Sequence, residues 1–487
     1  MTINLSEGKS TKMKVYLINM PFSEQEYTKF SEKWDYIEDE YIGINIIYAL
    51  LQKHDVDVTK CSCTKIDDMI AEIFNDQFDT VMISSMQTSA NLTHRFVLRI
   101  RERGYTGAIF IGGWYPKLAW RYIFETKWPV DYVCYVDAED VLPKWIENCH
   151  SSIPGIATYD DYQLQTAYTS KEIQSRNTWP ESYCSPIREP GRRTYRLETS
   201  RGCPHAHCTF CSLSCADVIK DKWRPLPKDI ILGEIRKIYE QYGVTRFSLT
   251  DDDMLGPIDG AEERARELHD WIRTLPYRIT FSGSISVRAA TNGRILDYLV
   301  DAGMEQLGIG FESADAEQLK RYNKQQTLEE NYLAAKNIVE RKINLIPGLI
   351  TFDPFATTET IRSNLNFLFD HLHHYELGKL TKRLYILTGT PMAKMVEKSG
   401  LLTGDYLNFD YRFQHSEVEE LYHDFQVYTD MAKDIQKQIN KAGLAYNRDI
   451  GMHHKNVAEK ILAREQWQDY AAQQLQCIRK KLQEANQ

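Results

Sequence analysis

The stretch ETSRGCPHAHCTFCSLSC (198–215) decides how the rest of the chain is read. It sets Cys203, Cys208 and Cys211 at C-x4-C-x2-C spacing, directly after the short apolar run YRLET (195–199). Cysteine thiolates are the usual ligands of iron–sulfur clusters, and three of them leave one iron of a four-iron cluster without a protein ligand. An open coordination position is what a catalytic metal centre offers to a substrate or cofactor. The competing reading is a structural zinc site, with Cys215, His205 or His207 as the fourth ligand. Against it stands the position of the triplet, at the end of a strand that opens a long alternating series.

That series supplies the frame. Strand patterns recur at RFSLT (246–250), ITFSGSI (279–285), EQLGIGF (305–311), NLIPGLITF (344–352) and KRLYIL (382–387), with helical patterns over 228–241, 261–274, 293–302, 328–341 and 357–372. Six strand–helix steps predict a partial (β/α)6 barrel over 195–395, whose functional residues lie just after each strand. Ahead of it, MKVYLINM (13–20), DTVMISSM (79–86), AIFIGG (108–113) and DYVCYV (131–136) alternate with helical stretches. Short apolar strands alternating with helices predict a doubly wound, Rossmann-like α/β domain over 13–150. Residues 151–194 carry Pro154, Pro180, Pro186 and Pro190 and read as a connecting segment. Residues 1–12 read as a disordered tail, and 396–487 as a helical C-terminal domain.

Composition narrows the function. The chain has 487 residues, 43% of them hydrophobic, and a net charge of −9. Phosphate contacts need clustered Lys and Arg, so no nucleic acid is expected as partner. The basic run from Lys220 to Lys228 reads as a solvated face. No apolar run reaches the ~18 residues that a membrane span needs, and no membrane partner is expected. The N-terminus has no signal-peptide pattern, so the cytoplasm is the expected location. Ten cysteines scattered through so long a chain do not form a disulfide framework.

From about 195 to 395 the sequence resembles the radical S-adenosylmethionine (SAM) superfamily, whose usual motif is C-x3-C-x2-C; here one extra residue separates Cys203 from Cys208. The resemblance implies a [4Fe–4S] cluster on Cys203, Cys208 and Cys211. It sets Phe210 near the adenine of SAM, and Asp251 and Asp252, after the second strand, at its methionine amino group. A helix cap or solvated turn is the alternative for these aspartates. Ser284 and Arg288 follow the third strand. Gly308-Ile309-Gly310-Phe311-Glu312-Ser313 is similar to the "GxES" element of cobalamin-type members and implies a SAM contact for Glu312. Gly389-Thr390-Pro391 matches a late loop of the same group.

The first domain resembles the cobalamin-binding domain of B12-dependent members. Pro21 after the first strand, Ser84 and Ser85, Gly112-Gly113-Trp114, and Glu139 are the implied cobalamin contacts. The D-x-H-x-x-G motif is absent, and neither His54 nor His94 lies in the loop after the first strand. Cobalamin is therefore expected without a protein histidine on cobalt.

The resemblance implies cleavage of SAM to a 5′-deoxyadenosyl radical, then methylation of an unactivated carbon of a peptide or small natural product. The rival outcome is epimerisation, cyclisation or rearrangement. An epimerase needs a hydrogen-donating thiol, and only Cys215 and Cys477 follow the triplet. An electron donor such as flavodoxin or ferredoxin is the implied partner.

Overall fold

The computed structural model describes residues 12–21, 41–61, 63, 65–148, 153–164, 194–215, 223–372 and 381–427. Phe22, the prolines at 180, 186 and 190, and the chain beyond 427 lie outside these residues, and with them most of the expected helical C-terminal domain.

In the first domain the runs rich in Val, Ile and Phe form β1 (Lys14–Asn19), β3 (Thr80–Ser84), β4 (Ala108–Gly112) and β5 (Tyr132–Cys134). Their interiors are buried, as in sheets covered on both faces. A further strand, β2 (Asp57–Lys60), pairs parallel with β1 at the edge. Its polar, half-exposed sequence carries no buried-strand signal, so the sequence reading passed over it. The sheet order is β2-β1-β3-β4-β5-β6. Helices α1 (Ile42–Lys53), α2 (Ile66–Asp76), α3 (Ala90–Glu102), α4 (Trp114–Glu125) and α5 (Ala138–Glu147) connect and flank the strands. From β1 the chain goes outward to β2, then returns to β3 on the other side. This reversal opens a crevice at the carboxyl ends of β1 and β3, the usual ligand position in open α/β sheets. Residues 153–164, expected in the connecting segment, belong to this sheet instead: β6 (Ile156–Ala157) pairs antiparallel with β5.

The second sheet is β7 (Thr194–Leu197), β10 (Arg246–Leu249), β11 (Thr280–Ile285), β12 (Met304–Glu312) and β13 (Asn344–Leu349), all parallel, in the order β13-β12-β11-β10-β7. Between them run α6 (Lys228–Tyr242), α7 (Ile258–Arg273), α8 (Gly293–Ala302), α9 (Ala316–Arg321), α10 (Leu328–Glu340) and α11 (Thr358–Asn366). The sixth strand, 382–387, is reduced to one bridge: Phe352 N donates to Lys382 O (3.0 Å) and Leu384 N to Phe352 O (2.7 Å). Arg383 is held instead by Tyr411 O (2.7 Å) and Asp410 (2.9 Å). The barrel is therefore partial.

Two small hairpin pairings complete the structure. β8 (Ser200–Gly202) pairs with β9 (Trp223–Pro225) beside the cysteine loop. β14 (Leu402–Asp405) and β15 (Asn408–Tyr411) form a hairpin where the sequence was read as helical. Asp405 Oδ1 accepts from Leu407 N (2.9 Å), the side-chain turn that an aspartate after glycine favours. The hairpin tip reaches the first domain: Gln87 Nε2 donates to Tyr406 O (3.0 Å), and Thr388 N donates to Gln87 Oε1 (3.2 Å). Among the described residues no helix is long and apolar enough to cross a membrane.

Candidate active site

The cysteine loop leaves β7 at the carboxyl edge of the barrel and is fastened on both sides. Asp251, buried after β10, accepts from Thr199 N (3.1 Å), Thr199 Oγ1 (2.8 Å) and Ser200 Oγ (2.6 Å). Farther along, Thr209 N donates to Tyr322 O (2.9 Å), Thr209 Oγ1 to Arg321 O (2.9 Å), and Met392 N to Thr209 O (2.9 Å). The last bond comes from the start of α12 (Pro391–Lys398), whose N-cap is Thr390 of the Gly389-Thr390-Pro391 loop. Asn323 Nδ2 donates to His207 O (3.0 Å), and the His205 ring meets Asn323 O at 2.6 Å. The loop between Cys203 and Cys211 is thus held from both sides by its protein surroundings.

The three cysteines are unpaired and at least half-buried. Burial pushes the Cys208 thiol up to about 12 and Cys211 up to about 11, and raises Cys203. The charge of Lys324 opposes the rise in all three, and the sequence reading did not find it. Its side chain is partly buried, and its ammonium pairs with Glu312 Oε1 (3.3 Å). Against the penalty of burial, Glu312 and the Cys208 thiol push Lys324 up, so it stays cationic. A fixed positive charge beside three thiols favours thiolates.

Glu312 ends β12 at a register irregularity, with φ +61°. A non-glycine residue in the left-handed region is uncommon and marks a position held by its surroundings. Gly310 makes room for it: a Cβ there would lie 2.3 Å from Glu312 Oε1 and 3.0 Å from Lys324 Nζ. Ser284, on β11, lies against Gly308, where a Cβ would meet its Oγ at 2.6 Å. Phe210 packs edge-on against Tyr322, with ring centroids 5.1 Å apart.

The structure separates the three aspartates. Asp251 is turned onto Thr199 and Ser200, so its carboxylate shapes the loop. Asp253 Oδ1 accepts from Leu255 N (3.1 Å) and Gly256 N (3.3 Å), closing a turn. Asp252 is exposed beside Gly202, one residue before Cys203. Arg288 is also exposed, and its Nε faces Glu330 Oε1 at 3.4 Å on the first turn of α10.

In the first domain, Pro21 and Ser84 stand at the carboxyl ends of β1 and β3, flanking the switch point, and Met20 N donates to Ser84 O (3.0 Å). Ser85 is fully buried and its hydroxyl meets Thr93 Oγ1 at 2.8 Å. Gly112 ends β4. Gly113, at φ +96°, lets the chain pass close: a Cβ there would lie 2.7 Å from Ser85 O. Trp114 opens α4 and carries the Lys117 ammonium 4.6 Å above its ring.

Glu139 does not stand open at this edge. It pairs with Arg201, which also grips Glu198 (3.0 Å). Beside it Asp137 pairs with Lys117 and with Arg224 (2.7 Å). Against the penalty of burial, Lys117, Arg201 and Arg224 hold the Asp137 carboxyl well below its usual range. Burial and Asp137 push neighbouring Asp140 up to about 6. Arg224, read from sequence as part of a solvated basic run, is buried instead. These ion pairs join the carboxyl edge of the first sheet to the strands that flank Cys203.

Comparison with known proteins agrees with this geometry. Residues 197–368 match the Radical SAM superfamily, and residues 40–145 match the B12 binding domain. The 4'-phospho-dehydrooxetanocin synthase of Priestia megaterium is 22% identical over 334 residues, 63% of this chain and 44% of that protein. The bacteriochlorophyllide d C-12(1)-methyltransferase of Chlorobaculum tepidum is 24% identical over 314 residues, 63% of each chain. The chain thus spans less than two thirds of either relative. The solved structure of the cobalamin-dependent SAM radical enzyme OxsB, with aqua-cobalamin and SAM bound, superposes with a TM-score of 0.69 at 17% identity, covering 94% of this chain and 72% of that one. That likeness shows a shared fold. The cofactors that go with the two matched domains are a [4Fe–4S] cluster, SAM and cobalamin. The chain belongs to the radical SAM superfamily and carries a B12 binding domain ahead of its barrel.

Proposed function

We propose that the chain is a cobalamin-dependent C-methyltransferase of the cytoplasm that acts on an unactivated carbon of a peptide or small natural product. The observation that carries this reading is the seam. Asp137 and Glu139, after β5, meet Arg224 and Arg201 two residues from Cys203, so two ligand-binding edges face one another.

The donor set fits the cofactors. Three half-buried thiols suit an iron–sulfur cluster, with Lys324 balancing their charge. At the first sheet, the bare backbone of Gly112 and Gly113 and the filled hydrogen bonds of Ser85 suit a bulky ligand held by shape. When bound, these groups supply reductive cleavage of SAM to a 5′-deoxyadenosyl radical and a transferable methyl group. The protein's part is to bind, orient and exclude water. Cys203, Cys208 and Cys211 hold the cluster. Asp252 accepts from the methionine ammonium, Glu312 braces the same end, Phe210 borders the adenine, and Ser284 lines the strand edge between them. Pro21, Ser84 and Trp114 border the corrin. Electrons come from a one-electron donor of the flavodoxin or ferredoxin kind.

A second reading keeps the radical and drops the methyl transfer. It is favoured by the relative named a synthase rather than a methyltransferase. Anaerobic turnover with SAM, cobalamin, a reductant and candidate substrates separates the two. Methylation yields both 5′-deoxyadenosine and S-adenosylhomocysteine, with a product heavier by one methylene. Formation of 5′-deoxyadenosine alone, with a product of altered connectivity, selects the second reading.

A further inference from the structure

One cluster of ligand groups lies outside the barrel and outside the crevice at the switch point. Cys61 follows the last residue of the edge strand β2, and its N–H donates to Leu17 O (2.9 Å) on β1. Two residues on, the Cys63 thiol reaches the carboxylate of Glu72, which projects from α2 to meet both cysteines. One ligand atom each from Cys61, Cys63 and Glu72 lies within 4.8 Å of the other two, the one such trio among the described residues. The Cys63 thiol donates to Glu72 Oε1 at 2.9 Å, and the Cys61 thiol lies 3.6 Å from Cys63 O. The second oxygen of Glu72 accepts from the buried Tyr16 hydroxyl.

Each alternative accounts for less of this arrangement. Carboxylates that act only as surface solvators do not turn onto two thiols. Cys61 and Cys63 border the apolar core of the first domain, but neither is fully buried, and the sulfur atoms of both gather on a carboxylate instead of only on apolar groups. Tyr16 fixes the remaining carboxylate oxygen, which is how outer-shell hydrogen bonds orient ligands of a metal.

We propose that Cys61, Cys63 and Glu72 bind a zinc-type divalent cation at the end of β2, with water in the fourth position. Two thiolates and a carboxylate suit a borderline-soft ion of tetrahedral preference. Magnesium and calcium prefer oxygen ligands throughout and are disfavoured. The charge closes well: three anionic ligands against a dication leave −1, and the cation displaces the two thiol protons to solvent. Bound there, the ion ties the edge strand to α2 and fixes the border of the sheet that carries the B12 domain's ligand edge. Its ligands are distinct from Cys203, Cys208 and Cys211, so loss of one site leaves the other.

The test uses the reconstituted full-length protein. Zinc, iron and sulfide are measured together after desalting over a chelating resin. Peptide mass spectrometry then follows alkylation of Cys61 and Cys63 with and without zinc. The expected result is one zinc per chain beside the cluster iron, and protection of both thiols that a strong chelator removes. Cys61→Ser and Cys63→Ser lose the zinc and keep iron and sulfide. Should either serine variant fail to fold, the protection experiment on the unaltered protein still decides. Glu72→Gln, nearly isosteric, lowers zinc affinity by more than the roughly 10–100-fold that losing an outer-shell partner costs. Equal alkylation with and without zinc, a Cys61–Cys63 disulfide in anaerobically purified protein, or unchanged affinity in Glu72→Gln overturns the site.

Discussion

At the barrel mouth Asp251, Thr209 and Asn323 are committed to shaping the cysteine loop, while the thiols, the exposed Asp252 and the Glu312–Lys324 pair are the polar groups gathered around it. At the facing edge of the first sheet the balance is reversed. Ser85 is tied down, Glu139 is drawn into the seam, and beside Trp114 stand the small, partly exposed residues Ser84, Gly112 and Gly113. One edge is built to hold its ligand through named side-chain atoms, the other through shape. Single substitutions should therefore act sharply at the first edge and gently at the second.

The sharpest break is at the thiols. Cys203→Ala, Cys208→Ala and Cys211→Ala should each abolish SAM cleavage and lower the iron and sulfide of the reconstituted protein. Cys215→Ala should keep the cluster, because three ligands suffice. A cluster lost in Cys215→Ala and kept in Cys208→Ala would reassign the ligand set.

Next comes the seam between the two edges. Arg201 lies between Glu139 and Glu198, all three 11–17% exposed. Arg201→Met leaves two carboxylates poorly paired, and removing one partner of a buried ion pair costs about 3–5 kcal/mol. Denaturant unfolding should register that loss, and the double change Arg201→Met with Glu139→Gln should recover part of it. Unfolding midpoints unmoved by either change would mean that the seam contributes nothing to holding the edges together.

Smaller effects sharpen the distinction among the acidic residues. Asp252→Asn or Glu312→Gln should weaken SAM binding while the cluster stays. Hydrogen bonds to charged groups are worth about 1.5–3 kcal/mol, or about a 10- to 150-fold loss in affinity. Asp251→Asn should instead loosen the loop and reduce cluster retention, since its partners are Thr199 and Ser200. Equal SAM affinity in all three variants would erase the distinction, and titration of binding by calorimetry measures it.

The sequence made the strand ends legible because Val, Ile, Leu and Phe runs bounded by polar residues fix both strand and register. The cysteine triplet, Glu312 and the glycine pair at 112–113 all stand at such ends; the triplet shows in its spacing, while Glu312 and the glycines were picked out by the family resemblance. Lys324 was not legible. It sits in the polar run Tyr322 to Gln326, with Asn323 and Gln325 at positive φ, and locally it looks like a solvated turn. Only the tertiary fold buries it against Glu312. The same reason hid the role of Arg224, whose basic neighbours suggest solvent while its partner Asp137 lies 87 residues away. Three consecutive aspartates are equivalent in sequence, and packing alone sorts Asp251 from Asp252. The β14–β15 hairpin did leave a signal, Gly404-Asp405 at the end of the first strand before the Tyr406-Leu407 turn, which the helical composition around it obscured.

The mildest expected outcome concerns the cobalt itself. An edge that holds its ligand by shape should supply no histidine to the metal, and the two described histidines of the first domain agree. His54 caps the end of α1, and α1 runs from the carboxyl end of β1 back to the start of β2, so His54 lies at the opposite edge of the sheet. His94 is nearer the ligand edge, but its ring stacks on Trp128 at 4.6 Å, and burial lowers its pKa. Trp128 in turn donates to the Tyr406 hydroxyl (3.2 Å) of the hairpin tip, which pins the stack. Freeing His94 would break its stack on Trp128, whose ring Tyr406 and Tyr115 hold in place. Protein loaded with cob(II)alamin should therefore give a paramagnetic resonance spectrum free of nitrogen superhyperfine splitting, and His94→Ala should leave it unchanged. Splitting that changes when the protein's histidines carry nitrogen-15 would put a side chain on the cobalt and overturn the contrast between the two edges. Splitting insensitive to that label would instead bring the nucleotide tail of the cobalamin to the metal.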